Sequence, residues 1–495
     1  MQRSCACSPS VFLGRVLYWH KGLDPNPGGA APPREDAVKV LLIQPPNSER
    51  MVGFTSMIRP EPLALEIIAA SVPEHDVRIL DMRLDRTLDE TLNTFQPEIV
   101  GVTGYTNDVP GMLRVFETAK RWKPEVVSVA GGYHATLVPE DLYSQAVDVI
   151  VKGEGEITFR ELVSAIEDGR SFARIPGIIY RRKDKRVHTR TRPLVRWLDD
   201  LPFPNRSLTA QYRSRYHFHF WDDPYLVETG RGCPFRCTFC AVWKFHRGKC
   251  RFRSPERVFD ELNELNDKVV CFVDDNFLAD IRRADRLADM LQAAGIRVHS
   301  WCQMRADSVV RHPEVVRKWA QIGLRETLVG FESFRDEDLE SVNKSSSIRI
   351  NEQAMQILSD NGVDMWGAFI VDPQWTRLDF DALIDYVRSK KITFPTFTIL
   401  TPLPGTQFFQ EKLKELTTRN YELFDFLHTV LPTKLPLEEF YANMARLYAS
   451  TTLGLSELKK RIRAGQIPVS ALGRIREVLS DVTNPQAYLQ STATS

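Results

Sequence analysis

The stretch RGCPFRCTFC, residues 231–240, sets Cys233, Cys237 and Cys240 in a C-x3-C-x2-C array. It follows YLVETG (225–230), which reads as a buried strand. Three thiols on one short loop suit an iron–sulfur centre, because soft thiolates hold iron well. A [4Fe-4S] cube normally takes four protein ligands, so a three-cysteine loop leaves one iron open to another molecule. Zinc is the competing metal. Structural zinc sites close with four ligands, and Cys250 or His246 stands near enough in sequence to complete one.

Downstream of the loop, strands and helices alternate. After YLVETG come VVCFVDD (269–275), RVHSWCQM (297–304), ETLVGFES (326–333), DMWGAFIVD (364–372) and FTILTP (397–402). Helices are expected at 255–265, 281–294, 313–321, 350–361 and 378–389. Six βα units predict a partial barrel, short of the eight that close, with its chemistry on the carboxyl-terminal face.

Upstream, VKVLLIQPP (38–46), VRILDM (77–82), EIVGVTGYT (98–106), VVSVAGGYH (126–134) and VDVIVKGEGE (147–156) alternate with helical segments. This predicts an open, doubly wound parallel sheet, whose ligands sit at the strand exits. The exits are rich in glycine, which lets a ligand approach the backbone. No GxGxxG follows the first strand, so a dinucleotide is not expected. The fold class is therefore α/β. A leader (1–37) precedes a Rossmann-like domain (38–170), a connector (171–222), a partial (β/α)6 barrel (223–415) and a small helical region (416–495).

Composition excludes other classes. The 65 Lys and Arg balance 64 Asp and Glu, giving a net charge of +1, so no nucleic-acid partner is expected. No apolar run reaches the length of a membrane span. The 8 cysteines are not spread as a disulfide framework, and no signal peptide is evident, which predicts a cytoplasmic protein.

The cysteine loop, with Phe239 before the last cysteine, resembles the radical S-adenosylmethionine (SAM) superfamily, which implies the six-unit barrel and a [4Fe-4S] cluster whose open iron binds SAM. The resemblance extends to polar residues at strand ends: Asp274, Asp275 and Asn276 on the second, Gln303 and Arg305 on the third, and Glu332 on the fourth. These are implied as SAM contacts, since a zwitterion needs both anionic and cationic partners. The preceding sheet domain narrows the likeness to the cobalamin-binding class. There the exit loops would face the corrin and its nucleotide tail through Tyr105, Thr106, Gly131, Gly132, His134, Gly153 and Glu154. The Asp-x-His-x-x-Gly motif of other B12 proteins is absent, so no lower axial ligand of cobalt is named.

Within that class the chain resembles the hopanoid C-3 methylase-like methyltransferases. The resemblance is carried by CTFCAVWKFHRGKCRFRSPERVFDEL (237–262), VDDNFL (273–278), AFIVDPQWTRLDF (368–380), TFTILTPLPGT (396–406) and FDFLHTVLPTKLPLEEFY (424–441). It implies a C-methyltransferase that uses SAM twice, as methyl donor through cobalamin and as radical source, acting on a hopanoid or similar isoprenoid lipid. A natural-product or tetrapyrrole substrate, and a non-catalytic zinc or cobalamin-binding protein, remain as alternatives. No second cluster motif is present, so an external donor such as ferredoxin or flavodoxin is implied. An apolar pocket is expected from Trp243, Phe245, Trp366, Phe369, Trp375, Phe397 and Phe408, against core packing. FFQEKLKEL (408–416) reads either as an interfacial helix at a membrane surface or as a packed one.

Overall fold

The computed structural model describes residues 37–53 and 56–492. The leader expected over 1–37 lies, except for Ala37, outside them.

The first sheet has its parallel strands in the order Asp76–Asp81, Lys39–Gln44, Ile99–Thr103, Val127–Gly131, Val149–Val151. Buried aliphatic residues build it: Val40, Leu42, Ile99, Val129 and Val149 pack to one face and Leu41, Ile43, Val100, Val102 and Ile150 to the other. The chain order along the sheet is therefore 2-1-3-4-5. Its direction switches between Lys39–Gln44 and Ile99–Thr103, the place where such sheets open a ligand crevice. The strands end earlier than the apolar runs suggest. Gly132 takes φ 101° and starts the helix Tyr133–Leu137, and Asp108 turns Thr106–Asp108 into a helical turn by accepting from the Tyr105 N–H at 2.8 Å.

The segment read as connector divides. Its hairpin, Ile178–Arg182 and Lys185–His188, adds antiparallel to Val149–Val151 and becomes the sheet edge. Ile178, Ile179 and Tyr180 are apolar and buried, so the edge carries three inward residues with a charged rim.

The second sheet runs Tyr225–Val227, Val269–Phe272, His299–Met304, Leu324–Glu332, Asp364–Val371, Phe394–Ile399, all parallel and in chain order. Helices Pro255–Glu264, Ile281–Ala293, Pro313–Ile322, Ile348–Asp360 and Arg377–Lys390 return the chain. Ser254, Asp280 and Ser347 cap three of them by accepting from the backbone of the first turn. Helix Leu437–Thr451 packs Phe440, Met444 and Tyr448 into the same core.

The amino end of the barrel is plugged. Phe220 and Trp221 meet Leu226, Cys271, Trp301, Trp366 and Phe394, with Ile467 and Ala471 closing from outside. His219 stacks on Trp366 with ring centroids 3.7 Å apart. Glu326 lies in this plug and accepts from the Trp366 indole N–H at 2.7 Å. Burial pushes its carboxyl up to about 7, against the pull of that hydrogen bond. The folded protein therefore holds a proton that the unfolded chain has lost above about pH 4.5, and stability falls as pH rises from about 4.5 to 7. Glu326→Gln is expected to stabilise the protein by about 2 kcal/mol at pH 8 and to change nothing at pH 4, measured by denaturant unfolding at both.

The expected aromatic residues are mostly core. Trp366, Phe369, Trp375, Phe397 and Phe408 are buried. Trp366 packs on Phe394 in the plug, and Phe369, Trp375 and Phe397 pack on Tyr386, Phe380 and Tyr448. The expected helix over 408–416 is only Gln407–Lys412, with Phe408 turned inward. No helix among the described residues is long and apolar enough to cross a membrane.

Candidate active site between the two domains

The cysteine loop leaves the first barrel strand through Gly230–Arg231, which pairs antiparallel with Arg251–Phe252 and so ties both ends of the loop together. Gly232 makes that pinch possible. It has φ 92°, and a Cβ there would stand 2.3 Å from the Lys249 carbonyl oxygen. Backbone contacts pin the loop from the far side. Thr238 N–H donates to Val342 O at 3.1 Å, Phe408 N–H to Thr238 O at 3.1 Å, and Asn343 Nδ2 to Arg236 O at 2.9 Å. The thiols are left out of this framework: all three are free, Cys237 buried, Cys233 and Cys240 partly so.

Burial raises the three thiols, Cys240 to about 12; around Cys237 the cations Lys344 and Arg305 oppose it. Among the described residues no group of three His, Cys, Asp or Glu side chains converges on a single metal ion. A structural zinc site requires such convergence. A cube does not, because each cysteine binds a different iron. Three thiols free of disulfides, spread on one pinned loop beside two cations, fit a [4Fe-4S] centre.

The strand-end residues divide into two groups. Asp274 is 2% exposed and accepts from Thr229 N at 2.7 Å, Thr229 Oγ1 at 2.5 Å and Gly230 N at 3.1 Å. It is committed to holding the loop's exit, from beneath. Arg305 is committed too. Nε donates to Asp307 at 2.8 Å, Nη2 to the Lys344 carbonyl at 2.8 Å, and the guanidinium stacks on Phe235 at 3.4 Å. Asp275, Gln303 and Glu332 are more open. Asp275 accepts from Gly232 N at 2.8 Å, and burial lifts its carboxyl to about 6. Gln303 is part-buried with no side-chain hydrogen bond among the described residues. Glu332 sits at φ 63°, rare for a side chain of its size, at a register shift in the fourth strand. Lys344 Nζ donates to its Oε1 at 2.5 Å. A Cβ on Gly330 would stand 2.3 Å from that oxygen, so the pair needs the glycine. Phe239 is partly buried in the loop.

The exit loops of the first domain face this region. The Tyr133 ring stacks on Phe245 at 4.3 Å, and Tyr105 lies 5.8 Å from Tyr133 with 65% of its surface exposed. Tyr133 Oη and His246 Nε2 are 3.3 Å apart. Arg251 Nη2 donates to His246 Nδ1 at 2.9 Å, so the imidazole carries its proton on Nε2. Burial holds that histidine down to about 4, so it is neutral at pH 7. Gly131 and Gly153 have open space where a Cβ would be. Gly132 instead packs on Thr103 and Gly104.

Two of the exit-loop residues are engaged within the chain. The His134 ring is buried, with Nδ1 3.2 Å from Thr106 Oγ1 and Nε2 3.1 Å from Asp141. Both nitrogens are committed within the chain. Glu154 does not face open space either. It accepts from Arg231 at 2.9 Å, Arg251 at 2.6 Å and the Val195 N–H at 2.6 Å. Arg231 also donates to Glu156 at 2.6 Å and Glu228 at 2.8 Å. This buried network fastens the first domain behind the cysteine loop. Arg231, Arg251, Glu156 and Tyr133 lie inside stretches quoted above without a role of their own, His246 was named only as a zinc ligand, and Lys344 lies in no quoted stretch.

A cleft of about 840 Å3 opens at the sheet's switch point, lined by Pro46, Asn47, Met51, Arg86, Arg114 and Glu422 among others. That is within the size range of ligand sites.

An open sheet with a switch-point cleft, docked on a partial barrel whose first exit carries three free cysteines, defines a class that two family models recognise. The B12 binding domain matches residues 50–163 and the radical SAM superfamily residues 227–387. Hopanoid C-3 methylase of Methylococcus capsulatus is 30% identical over 83% of this chain and 79% of its own. An uncharacterised methyltransferase of Pyrococcus horikoshii is 30% identical over 80% and 88%. The solved structure of the radical SAM methyltransferase TsrM from Kitasatospora setae, with cobalamin and [4Fe-4S] bound, shares the fold at a TM-score of 0.67 and 17% identity, covering 90% of this chain and 99% of that one. The chain belongs to the cobalamin-binding radical SAM methyltransferases, enzymes whose cofactors are a [4Fe-4S] cluster, SAM and cobalamin.

Proposed function

We propose that this enzyme methylates an unactivated carbon of a hopanoid or similar isoprenoid lipid. The observation that carries the methyl-transfer reading is the meeting of the two sites: Tyr133 of the first domain stacks on Phe245, five residues beyond Cys240. The isoprenoid substrate is supported by the likeness to hopanoid C-3 methylase. When bound, the cluster with SAM supplies a carbon-centred radical source, and cobalamin supplies a methyl carrier.

The chain's own residues prepare the place. Cys233, Cys237 and Cys240 hold the iron, and Lys344 and Arg305 offset their negative charge. Gln303, Asp275 and Glu332 are proposed to bind SAM. Asp274 and Arg305 are proposed to position the loops on which it rests. Tyr105, Thr106, Gly131 and Gly153 are proposed to line the corrin, with the switch-point cleft receiving its tail. Glu154 and Gly132 act on that site by fixing the loops. Tyr133 and Phe245 exclude water between the two halves.

A second reading is a more polar natural product or a tetrapyrrole. The likeness to bacteriochlorophyllide d C-12(1)-methyltransferase of Chlorobaculum tepidum, 25% identical over 89% of this chain, favours it. Anaerobic enzyme reconstituted with iron, sulfide and hydroxocobalamin, given SAM labelled in its methyl group, a low-potential reductant and a hopanoid in detergent, separates the two. Labelled hopanoid is expected. SAM cleavage without label in the hopanoid would refute the lipid substrate and leave the polar one.

A further inference from the structure

Between Glu228 and Glu256 the chain has no acidic residue and seven basic ones. Arg231 and Arg251 belong to the buried network, and Arg253 is 1% exposed. The other four, Arg236, Lys244, Arg247 and Lys249, are exposed, and none is paired with a carboxylate among the described residues. They gather around one spot. Lys244 Nζ stands 4.4 Å and the Arg236 guanidinium 5.9 Å from the Trp243 ring centre. Arg236 Nη2 lies 3.9 Å from where a Cβ on Gly248 would be, between Arg247 and Lys249. Trp243 is part-exposed, and its indole N–H donates to the Cys237 carbonyl at 3.0 Å. A cationic surface therefore sits one indole ring from the cysteine loop. The helix Asp336–Ser341, whose following residues Val342 and Asn343 bind the loop at Thr238 and Arg236, brings Glu337 and Glu340 to the surface. Asp336 accepts from Ile348 N–H, and Asp338 is paired with Arg335.

We infer that Arg236, Lys244, Arg247 and Lys249 form the docking face for a small acidic electron-transfer protein. The inference rests on the family reading, which requires an outside reductant. The chain's net charge of +1 makes this local excess of four cations a directional feature. Complementary charge brings a carrier to the shortest approach and releases it after one turnover. In the step, the donor's reduced centre loses one electron and the iron–sulfur centre of this chain gains it, and no bond is made or broken.

The test uses the full reconstituted enzyme and, as probe, an acidic flavodoxin reduced to its hydroquinone. Stopped-flow absorbance follows cluster reduction by the flavodoxin and, separately, by titanium(III) citrate. The variant R236E/K244E/R247E/K249E is expected to slow flavodoxin reduction at least about tenfold at low salt and to flatten its salt dependence, with the titanium rate unchanged. Flavodoxin reduction within twofold of the parent would overturn the inference. If the fourfold variant loses iron, the pair K244Q/K249Q decides in the same way: a slower flavodoxin rate at an unchanged titanium rate supports docking, and equal rates overturn it. Absence of iron in the parent itself would overturn the underlying family reading, and is read first.

Discussion

Alanine at Arg231 is expected to destabilise the protein by about 3–5 kcal/mol, as for other buried ion networks that lose one partner. Arg231 is 8% exposed and is paired with three carboxylates, Glu154, Glu156 and Glu228. Glu156 and Glu228 each already have one oxygen with no partner. Despite burial, Arg231 and its neighbours hold Glu154 and Glu228 below the usual carboxylate range. Without Arg231, Glu156 and Glu228 lose the ion pairs they make here, and burial of Glu228 loses its main opposition, which drives that carboxyl's pKa up. The folded variant then binds protons that the unfolded chain does not, so its deficit grows with pH. Denaturant unfolding of the apo-protein is expected to show a larger loss at pH 8 than at pH 5.5. Lysine is expected to rescue little, because an ammonium cannot reproduce the planar fork that reaches three carboxylates at once. A loss under about 1 kcal/mol at pH 8 would show that the two domains are held by their apolar contacts instead.

Cys237→Ala carries the second large effect, and here the fold is expected to survive. The side chain is small and its thiol takes no part in the loop's backbone framework, which runs through Thr238, Arg236 and the Cys237 carbonyl. Outer-shell partners of metal ligands are worth about 10–100-fold. Losing a ligand is expected to cost more than that, removing the iron chromophore and lowering 5′-deoxyadenosine formation by more than about a hundredfold. Cobalamin binding, assigned to the other domain, is expected to persist. Retained iron and SAM cleavage would place the cluster elsewhere.

Both expectations show what kind of information the sequence carried. The cysteine loop, the glycine-rich exits and the two strand–helix alternations are local patterns, and the structure has the fold class they predict. The network around Arg231 is not local. Its partners Glu154 and Glu156 lie 77 and 75 residues away, so nothing in the sequence ties Glu154, read there as a cofactor contact, to Arg231. His134 is a related case. A histidine after a glycine pair at a strand exit looks available until Thr106 and Asp141 close on both its nitrogens. Lys344 lies on a loop with no motif, and only the fold sets it beside Glu332 and Cys237. For the aromatic residues on strands, period-two patterning does not say which face is the core.

The account stands most directly on the meeting of two cofactors in one chain. Protein reconstituted anaerobically with iron, sulfide and hydroxocobalamin, then freed of unbound material, should retain about four irons and one corrin per chain. On addition of SAM and a low-potential reductant it should form 5′-deoxyadenosine. Iron and SAM cleavage with no retained corrin would contradict methyl transfer through cobalamin, and zinc with no SAM cleavage would contradict the account as a whole.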